Sequence, residues 1–159
     1  MLPAAWCLQY SYILSKLNQD IISDRIIRVA VNYYEKSGLQ EKSGTAYYLL
    51  GCIFQDSNKN KEAMQVYKKA EYKLESTELN DLKGLIDFEI GYLYKPDETF
   101  SESLIYFKKS LNYFIRSKNI KYQAYAYREI SDIYYQLNYP FEKVMFLSNN
   151  NSPCCPNIE

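Results

Sequence analysis

The chain has 159 residues with 19 basic and 19 acidic side chains, and this balance argues against a nucleic-acid surface held by excess positive charge. It contains no histidine, which removes the commonest general base, the commonest metal ligand and the partner of many nucleophilic serines and cysteines. No apolar run approaches the roughly 18 residues of a membrane span, so we predict no transmembrane segment in this sequence.

The N-terminal segment has some features of an export signal. Met1–Cys7 loosely resembles a signal that ends at a lipid-modified cysteine. The segment lacks a basic start and an apolar stretch of about 7–15 residues, and Trp6 is too large for a cleavage site that requires small side chains. We therefore predict no export signal in this sequence and a cytoplasmic location by default. An envelope-associated location is the alternative if a signal lies upstream.

A motif of four residues recurs at a spacing of forty residues. The three clearest copies are Tyr47, Leu50, Gly51 and Phe54; Asp87, Ile90, Gly91 and Tyr94; and Tyr127, Ile130, Ser131 and Tyr134. Self-similarity at a fixed period indicates one supersecondary unit copied in tandem, so we predict a solenoid of about four units. The first and last units are degraded, as is typical of the ends of a stacked array.

The first two units show helical periodicity. In the first, Ser23 and Asp24 provide an N-cap for a helix that carries Ile27 and Ala30. In the second, the motif residues share one helical face, and a partner helix continues the pattern over 63–70. A polar cluster between these two helices supplies the residues of a turn.

The third and fourth units continue the pattern. Residues 95–99 break the third unit, because Pro96 cannot continue a helix interior. In the fourth unit a second helix, 141–148, is too short to complete the repeat. Either the chain is a fragment of a longer array, or this uncapped C-terminal helix is covered by another subunit through self-association.

Small residues recur where two helices of a unit are expected to approach most closely. Glycine inside a helix lowers helix stability by about 1 kcal/mol relative to alanine. Its recurrence at Gly51 and Gly91 therefore indicates that close packing at these positions offsets that loss. Ala63 and Ala70 keep the facing helix equally small.

The four cysteines indicate neither a metal site nor a disulfide framework. Cys7 and Cys52 fall within helical patterns and are predicted to be small buried hydrophobes. Cys154 and Cys155 are adjacent in a polar tail, and no C-x-x-C pair provides zinc spacing.

These patterns predict one helical domain over residues 1–148. Its units lie at approximately 4–40, 44–80, 84–120 and 124–148. The tail, 149–159, has no periodicity and contains two prolines, so we predict that it is disordered.

Seven residues of the second unit form a pattern of small and large side chains: Tyr47, Leu50, Gly51, Phe54, Ala63, Tyr67 and Ala70. The pattern resembles the consensus of the tetratricopeptide repeat (TPR), a helix–turn–helix unit usually of about 34 residues. The resemblance covers about residues 4–148 and implies an all-α, right-handed α-solenoid of seven or eight antiparallel helices. Residues 23–51 also resemble TPR proteins common in gut Bacteroidetes, many of which are envelope-anchored and longer.

The resemblance implies that the first helix of each unit lines a concave, peptide-binding surface. The residues carried over to that surface are Tyr12, Lys16, Tyr48, Gln55, Phe88, Tyr92, Lys95, Tyr125, Arg128, Asp132 and Tyr135. Such an aromatic surface suits an extended or helical peptide with apolar anchors, and it differs from the Lys and Asn clamp of chaperone-binding TPR domains. The alternative is that the aromatic residues pad helix pairs and that Arg128 and Asp132 form a surface ion pair.

The sequence therefore predicts a non-catalytic scaffold that binds a protein or peptide partner, with no cofactor, no metal and no nucleic acid. Gly38 and Gly44 match no phosphate-binding spacing, and no nucleophile–base pair is evident. The alternative function is a regulatory sensor repeat domain that binds a short peptide and controls a fused or associated effector.

Overall fold

The computed structural model of the chain describes residues 3–16, 24–95 and 99–138, and for residues 14–16 only the backbone is described. These ranges contain seven α-helices and no strand. In chain order the helices are α1 (Ala4–Lys16), α2 (Asp24–Lys36), α3 (Gln40–Asp56), α4 (Asn60–Leu74), α5 (Asn80–Tyr94), α6 (Phe100–Arg116) and α7 (Ile120–Gln136). The predicted all-α fold class is confirmed for this part of the chain.

Some predictions fall on residues outside the described ranges. They are the cap at Ser23, the break at Pro96, the last helix at 141–148, self-association through that helix, and the disordered tail at 149–159. They remain predictions.

The helices begin at half the spacing of the sequence repeat. From α3 onward the first residues lie twenty positions apart, at Gln40, Asn60, Asn80, Phe100 and Ile120. A forty-residue repeat therefore contains two helix–turn segments of equal length.

The turns that end several helices share one backbone geometry. Gly38, Asn58, Lys118 and Asn138 have positive φ angles of 68°, 56°, 60° and 51°. A left-handed residue just after a helix directs the following amides back to carbonyls that the last turn leaves free. After Asn58, for example, the amide of Lys59 donates to the carbonyl of Phe54 over 2.8 Å.

The first compact unit spans Met1–Ile86. In it α1 packs on α2, α2 on α3 and α3 on α4. Helices α3 and α4 run antiparallel, since Gly44 lies against Leu74 and Gly51 lies against Tyr67. A Cβ added to Gly51 would come within 2.3 Å of the Tyr67 ring, so the predicted close approach of two helices at this glycine is confirmed.

The second compact unit spans Asp87–Glu159 and includes the end of α5 together with α6 and α7. A Cβ added to Gly91 would lie 3.0 Å from the Phe107 ring, and the Ser103 hydroxyl donates to the Gly91 carbonyl over 2.8 Å. Phe88 lies among aromatic rings, with centroids 5.2 Å from Phe107 and 6.3 Å from Phe114. The core of this unit is thus largely aromatic. Helix α7 packs against α6, which carries two of these rings.

Candidate functional site

Helix α7 divides its residues between a buried and an exposed face. Ala126, Ile130 and Ile133 are buried in the core of the second unit. The other face exposes four residues at i, i+3, i+7 and i+10, which we call the α7 stripe: Tyr125, Arg128, Asp132 and Tyr135. Residues at this spacing lie along one side of a helix, so the stripe forms a continuous line of side chains.

A buried carboxylate fixes the middle of the α7 stripe. The side chain of Glu129 is only 4% exposed and accepts hydrogen bonds at both oxygens. Lys95 Nζ donates to Oε2 over 2.5 Å, while Arg128 donates to Oε1 from Nη2 over 2.7 Å and from Nε over 3.1 Å. Tyr92 lies beside this carboxylate, and Lys95 Nζ is 5.4 Å from the centroid of its ring. We call Tyr92, Lys95, Arg128 and Glu129 the Glu129 cluster.

The protonation states of the Glu129 cluster follow from burial and hydrogen bonding. Burial alone would raise the pKa of Glu129, but hydrogen bonds from Lys95, Arg128 and Tyr92 outweigh it and hold that pKa below its ordinary value. Burial first, and then the bond to Glu129, raises the pKa of Tyr92 to about 12. At neutral pH Glu129 is therefore charged, and Tyr92 is a neutral hydrogen-bond donor.

Aromatic rings lie close to two cationic side chains of α7, Arg128 and Lys121. The Arg128 guanidinium carbon lies 5.5 Å from the centroid of the Tyr125 ring, a distance at which cation–π attraction operates. Lys121 Nζ lies 5.8 Å from the ring centroids of both Tyr122 and Tyr125. Tyr122 in turn stacks on Phe114, with ring centroids 5.2 Å apart. Arg128 thus contacts both Glu129 and the Tyr125 ring, although its side chain is 60% exposed.

The structure separates the predicted site residues of the second unit into two groups. Tyr92, Lys95 and Arg128 meet around Glu129, and Tyr125, Asp132 and Tyr135 share the exposed face of α7. Phe88 differs from its predicted surface position, because its ring is buried between the rings of α6. The alternative of an ion pair between Arg128 and Asp132 is also not observed, since Arg128 pairs with its neighbour Glu129.

In the first unit two of the predicted site residues, Tyr48 and Gln55, contact the buried Tyr67. The Tyr67 hydroxyl donates to Gln55 Oε1 over 2.9 Å, and the ring of Tyr48 lies 6.1 Å from that of Tyr67. Tyr12 is exposed on α1, and Lys16 is the last residue of that helix, with its side chain outside the described residues. The contact of Tyr48 is of the kind expected if aromatic residues pad helix pairs, whereas Tyr12 is exposed.

Solved structures share the arrangement of helices. Aspartyl phosphate phosphatase F from Bacillus subtilis matches 92% of this chain with a TM-score of 0.79 and 20% sequence identity. BtubC (BKLC) from P. vanneervenii matches 91% of the chain with a TM-score of 0.60 and 15% identity. The likeness is one of fold. This chain spans 38% of the first protein and 67% of the second, and no family model or curated protein matches its sequence.

Sequence reasoning missed Glu129, the residue that organises the cluster. The signal was present in the helical pattern, because Glu129 follows Ala126 at i+3 and so falls on the buried face of α7. A charged residue at a core position requires a partner, and Lys95 lies 34 residues earlier in the chain. Repeat alignment also places Glu129 eighty residues after the buried Leu49.

The arrangement is suited to binding. It offers a fixed guanidinium, exposed phenol rings and a carboxylate along one helix, which are groups that recognise peptide backbones and side chains. Across the described ranges, no group of three or more histidine, cysteine or acidic residues is placed to hold a metal ion. Nor is any of the described helices long and apolar enough to cross a bilayer.

Proposed function

We propose that this chain is a non-catalytic, TPR-like repeat scaffold that binds a protein or peptide, and that the α7 stripe is part of the binding surface. The observation that carries this proposal is that Arg128 contacts Glu129 and Tyr125 while most of its side chain faces solvent. Arginine and tyrosine are the residue types that most often dominate binding energy at protein interfaces. Side chains held in place before binding lose less entropy on association.

The non-catalytic part of the proposal is supported by the pairing of the buried acids. Within the described residues, Asp87 and Glu129 are the buried carboxylates, and they pair with Lys109 over 3.3 Å and with Lys95. Glu129, whose pKa is held below its ordinary value by its hydrogen bonds, is a poor proton donor at neutral pH. The sequence also has no histidine to take that role.

The dimensions of the stripe suggest the class of ligand. Tyr125 and Tyr135 are ten residues apart, which corresponds to about 15 Å along a helix. About five residues of an extended peptide, or three turns of a helix, cover that length. A matching ligand carries apolar groups for the two tyrosines, with an acidic group between them for Arg128.

Capture of partners from extracts of the source organism tests the proposal, followed by calorimetry with the purified partner. We expect Tyr135→Ala and Arg128→Ala each to weaken binding at least about fivefold, because both residues lie on the stripe. Tyr72→Ala is the matched control, since Tyr72 of α4 is 74% exposed and Tyr135 is 77% exposed. Binding by both stripe variants with the affinity of the wild-type chain would show that the stripe is not the binding surface.

A regulatory sensor is the second candidate function. The specific observation in its favour is that this chain corresponds to 38% of aspartyl phosphate phosphatase F, so the same helical fold forms part of a longer protein named for an activity. A sensor must change conformation when its peptide binds. Hydrogen exchange with and without the captured partner distinguishes the two functions: a sensor shows changes in helices remote from the stripe, and a scaffold shows them only at the stripe.

A further inference from the structure

The turn between α6 and α7 combines positive charge with exposed apolar side chains. Arg116, Lys118 and Lys121 are exposed, and none of them forms an ion pair in the part of the chain that the structure describes. Ile115 and Ile120 are 46% and 61% exposed. We call these five residues, Ile115, Arg116, Lys118, Ile120 and Lys121, the basic turn.

The basic turn is one end of an antiparallel pair of helices. Next to the turn, Phe114 of α6 stacks on Tyr122 of α7 with ring centroids 5.2 Å apart. Far from it, Lys108 Nζ lies 5.3 Å from the centroid of the Tyr134 ring. Three residues, 117–119, join the two helices, so all five exposed side chains lie close to one end of the pair. Such an end faces outward, as connecting turns do, and differs from a groove that encloses a peptide.

The equivalent turn of the preceding repeat has the opposite chemistry. It lies forty residues earlier, between α4 and α5, and the helices that follow the two turns begin at equivalent positions, Asn80 and Ile120. Three acids and two neutral polar or small residues replace the cations and isoleucines there; in chain order the equivalent residues are Glu75, Ser76, Glu78, Asn80 and Asp81. The fold of the repeat therefore does not require basic or aliphatic side chains at these positions.

Two cations of the basic turn occupy positions that do not favour them. Lys118 has a φ of 60°, a conformation that glycine adopts with less strain, and Gly38 lies at the equivalent position eighty residues earlier. Lys121 lies in the first turn of α7, where the positive end of the helix dipole disfavours a cation. Helices α2 to α6 have an acid in that turn: Asp24, Glu41, Glu62, Asp81 and Glu102. Residues that break local preferences are expected at functional sites.

The charge around the basic turn is one-sided. Residues 103–128 contain six cations and no acid, although the whole chain has 19 of each. Two of the six pair with acids outside this stretch, Lys109 with Asp87 and Arg128 with Glu129. The other four, which include the three cations of the basic turn, form no ion pair within the described ranges. The resulting positive field attracts an anionic partner.

We propose that the basic turn binds the surface of an anionic lipid membrane. Arg116, Lys118 and Lys121 contact the charged headgroups, and Ile115 and Ile120 enter the boundary between the headgroups and the acyl chains. Both contributions are needed, because a few cations or a small apolar group alone give only marginal membrane binding. This proposal does not depend on peptide binding at the α7 stripe.

The aliphatic pair favours a membrane over an acidic protein. A partner held by charge needs only the cations, and the preceding repeat has polar residues at both aliphatic positions. Exposed isoleucines beside cations match a lipid surface, which offers anionic headgroups and, about 5–10 Å deeper, apolar chains.

Co-sedimentation of the full chain with lipid vesicles tests the proposal. Vesicles of phosphatidylcholine alone are compared with vesicles that also contain about 30 mol% phosphatidylserine. We expect binding to the anionic vesicles to be at least about tenfold tighter, since three cations face them, and to weaken as the salt concentration rises. No binding to the anionic vesicles, or equal binding to both kinds, would overturn the proposal.

A matched pair of variants locates the charge. Arg116 and Lys36 hold equivalent positions of the repeat, each as the last residue of its helix, and both are exposed. We expect Arg116→Glu to weaken binding to anionic vesicles at least about fivefold and Lys36→Glu to leave it unchanged. Equal effects of the two reversals would show that the net charge of the chain, and not the basic turn, attracts the vesicles.

Lys118→Gly separates loss of binding from loss of folding. The change removes a charge and relieves the left-handed strain, so a weaker interaction with vesicles cannot result from unfolding. We expect binding to anionic vesicles to weaken by about fivefold. Unchanged binding would exclude Lys118 from the contact and contradict the proposed surface.

Ile120→Asn distinguishes a membrane from an acidic protein. Asparagine is the residue of the equivalent turn, and circular dichroism checks that the variant is folded. We expect its affinity for anionic vesicles to fall at least about threefold, because an apolar side chain is lost from the interface. Soluble polyglutamate provides charge without an apolar layer. Binding to polyglutamate as tight as to vesicles, with Ile120→Asn equal to the wild-type chain, would indicate an acidic protein partner and contradict the membrane assignment.

Discussion

Glu129 is a buried residue whose charge depends on its neighbours. Glu129→Gln removes that charge and weakens the bonds to Lys95 and Arg128, both of which are partly exposed and regain water. We therefore expect a loss of about 1–2 kcal/mol in the free energy of unfolding at pH 7, less than for a fully buried ion pair. Urea unfolding followed by circular dichroism measures this difference.

The stabilising effect of Glu129 on the folded chain should depend on pH, and the direction of this dependence follows from its pKa. The folded-state pKa of Glu129 lies below its ordinary value, so its stabilisation is present above about pH 4.3 and is lost as the pH falls through the lowered pKa. The difference in unfolding free energy between wild type and Glu129→Gln should therefore shrink between pH 6 and pH 3. A difference that stays constant over this range contradicts the assignment of charge to Glu129.

Gly51 and Gly91 both lie against an aromatic ring of the neighbouring helix, but they leave different amounts of space for a side chain. An added Cβ lies 2.3 Å from the Tyr67 ring at Gly51 but 3.0 Å from the Phe107 ring at Gly91. Alanine improves helix propensity by about 1 kcal/mol, and overpacking costs about 1–3 kcal/mol. We expect Gly51→Ala to lower the unfolding free energy by about 1–2 kcal/mol and Gly91→Ala to change it little. Equal effects of the two substitutions would contradict the packing described here.

The environment of a single residue could be predicted from the sequence when its contacts lie within one repeat, and not when they come from a distant part of the chain. Gly51 was predicted correctly because the residues that require it recur within one repeat. Phe88 was assigned to a surface and is buried, since its contacts come from rings on the next helix. The pairing of Glu129 with Lys95 spans 34 residues and two units of the repeat, a separation that periodicity within a helix does not encode.

At the scale of the helix, residues of left-handed conformation follow the ends of four helices, α2, α3, α6 and α7. Lys118 has a φ of 60°, a conformation that costs a residue with a side chain more than it costs glycine. We expect Lys118→Gly to raise the unfolding free energy by about 0.5–1 kcal/mol. Thermal unfolding by calorimetry checks the direction of this change.

Gly38 allows the opposite substitution, in which a glycine of left-handed conformation is replaced by a residue with a side chain. Its φ is 68° and a Cβ there would meet nothing within 4 Å, so Gly38→Ala introduces backbone strain without a clash. We expect a loss of about 1 kcal/mol. Opposite signs at Lys118 and Gly38 are the signature of the turn geometry, and the same sign at both would contradict it.

The elements themselves were largely predictable, because the apolar pattern of a helix is local. Helices α3, α4 and α6 carry clear copies of the repeat, and they lie where that pattern predicts them. The twenty-residue spacing of helix starts was not predicted. Before α3, α4 and α7 the turn contains a left-handed residue, but that residue is Gly38, Asn58 or Lys118, so the turns share a conformation without sharing a side chain.

At the scale of the whole molecule, the α7 stripe belongs to the second compact unit, Asp87–Glu159. We expect Tyr135→Ala to weaken partner binding at least about fivefold and to leave the free energy of unfolding unchanged, because the Tyr135 side chain is 77% exposed. Calorimetry with the partner and urea unfolding measure the two quantities, and a loss of stability large enough to explain the loss of binding would contradict the assignment of Tyr135 to a binding surface.

The sequence predicted a binding protein but could not select among its surfaces. Composition and repeats are properties of the chain as a whole, whereas a binding surface depends on which aromatic residues remain exposed after packing. Tyr48 and Gln55 contact the buried Tyr67, while Tyr135 stays in solvent, and the repeat alone does not distinguish these outcomes.

The most direct test of the account is to map the captured partner onto the chain by nuclear magnetic resonance. Titration of the isotope-labelled chain with the purified partner peptide reports changes at each backbone amide. We predict that the largest changes cluster in α7, around Tyr125, Arg128, Asp132 and Tyr135. Changes confined to other helices, with the amides of α7 unaffected at saturation, would contradict the proposal that this helix forms the binding surface.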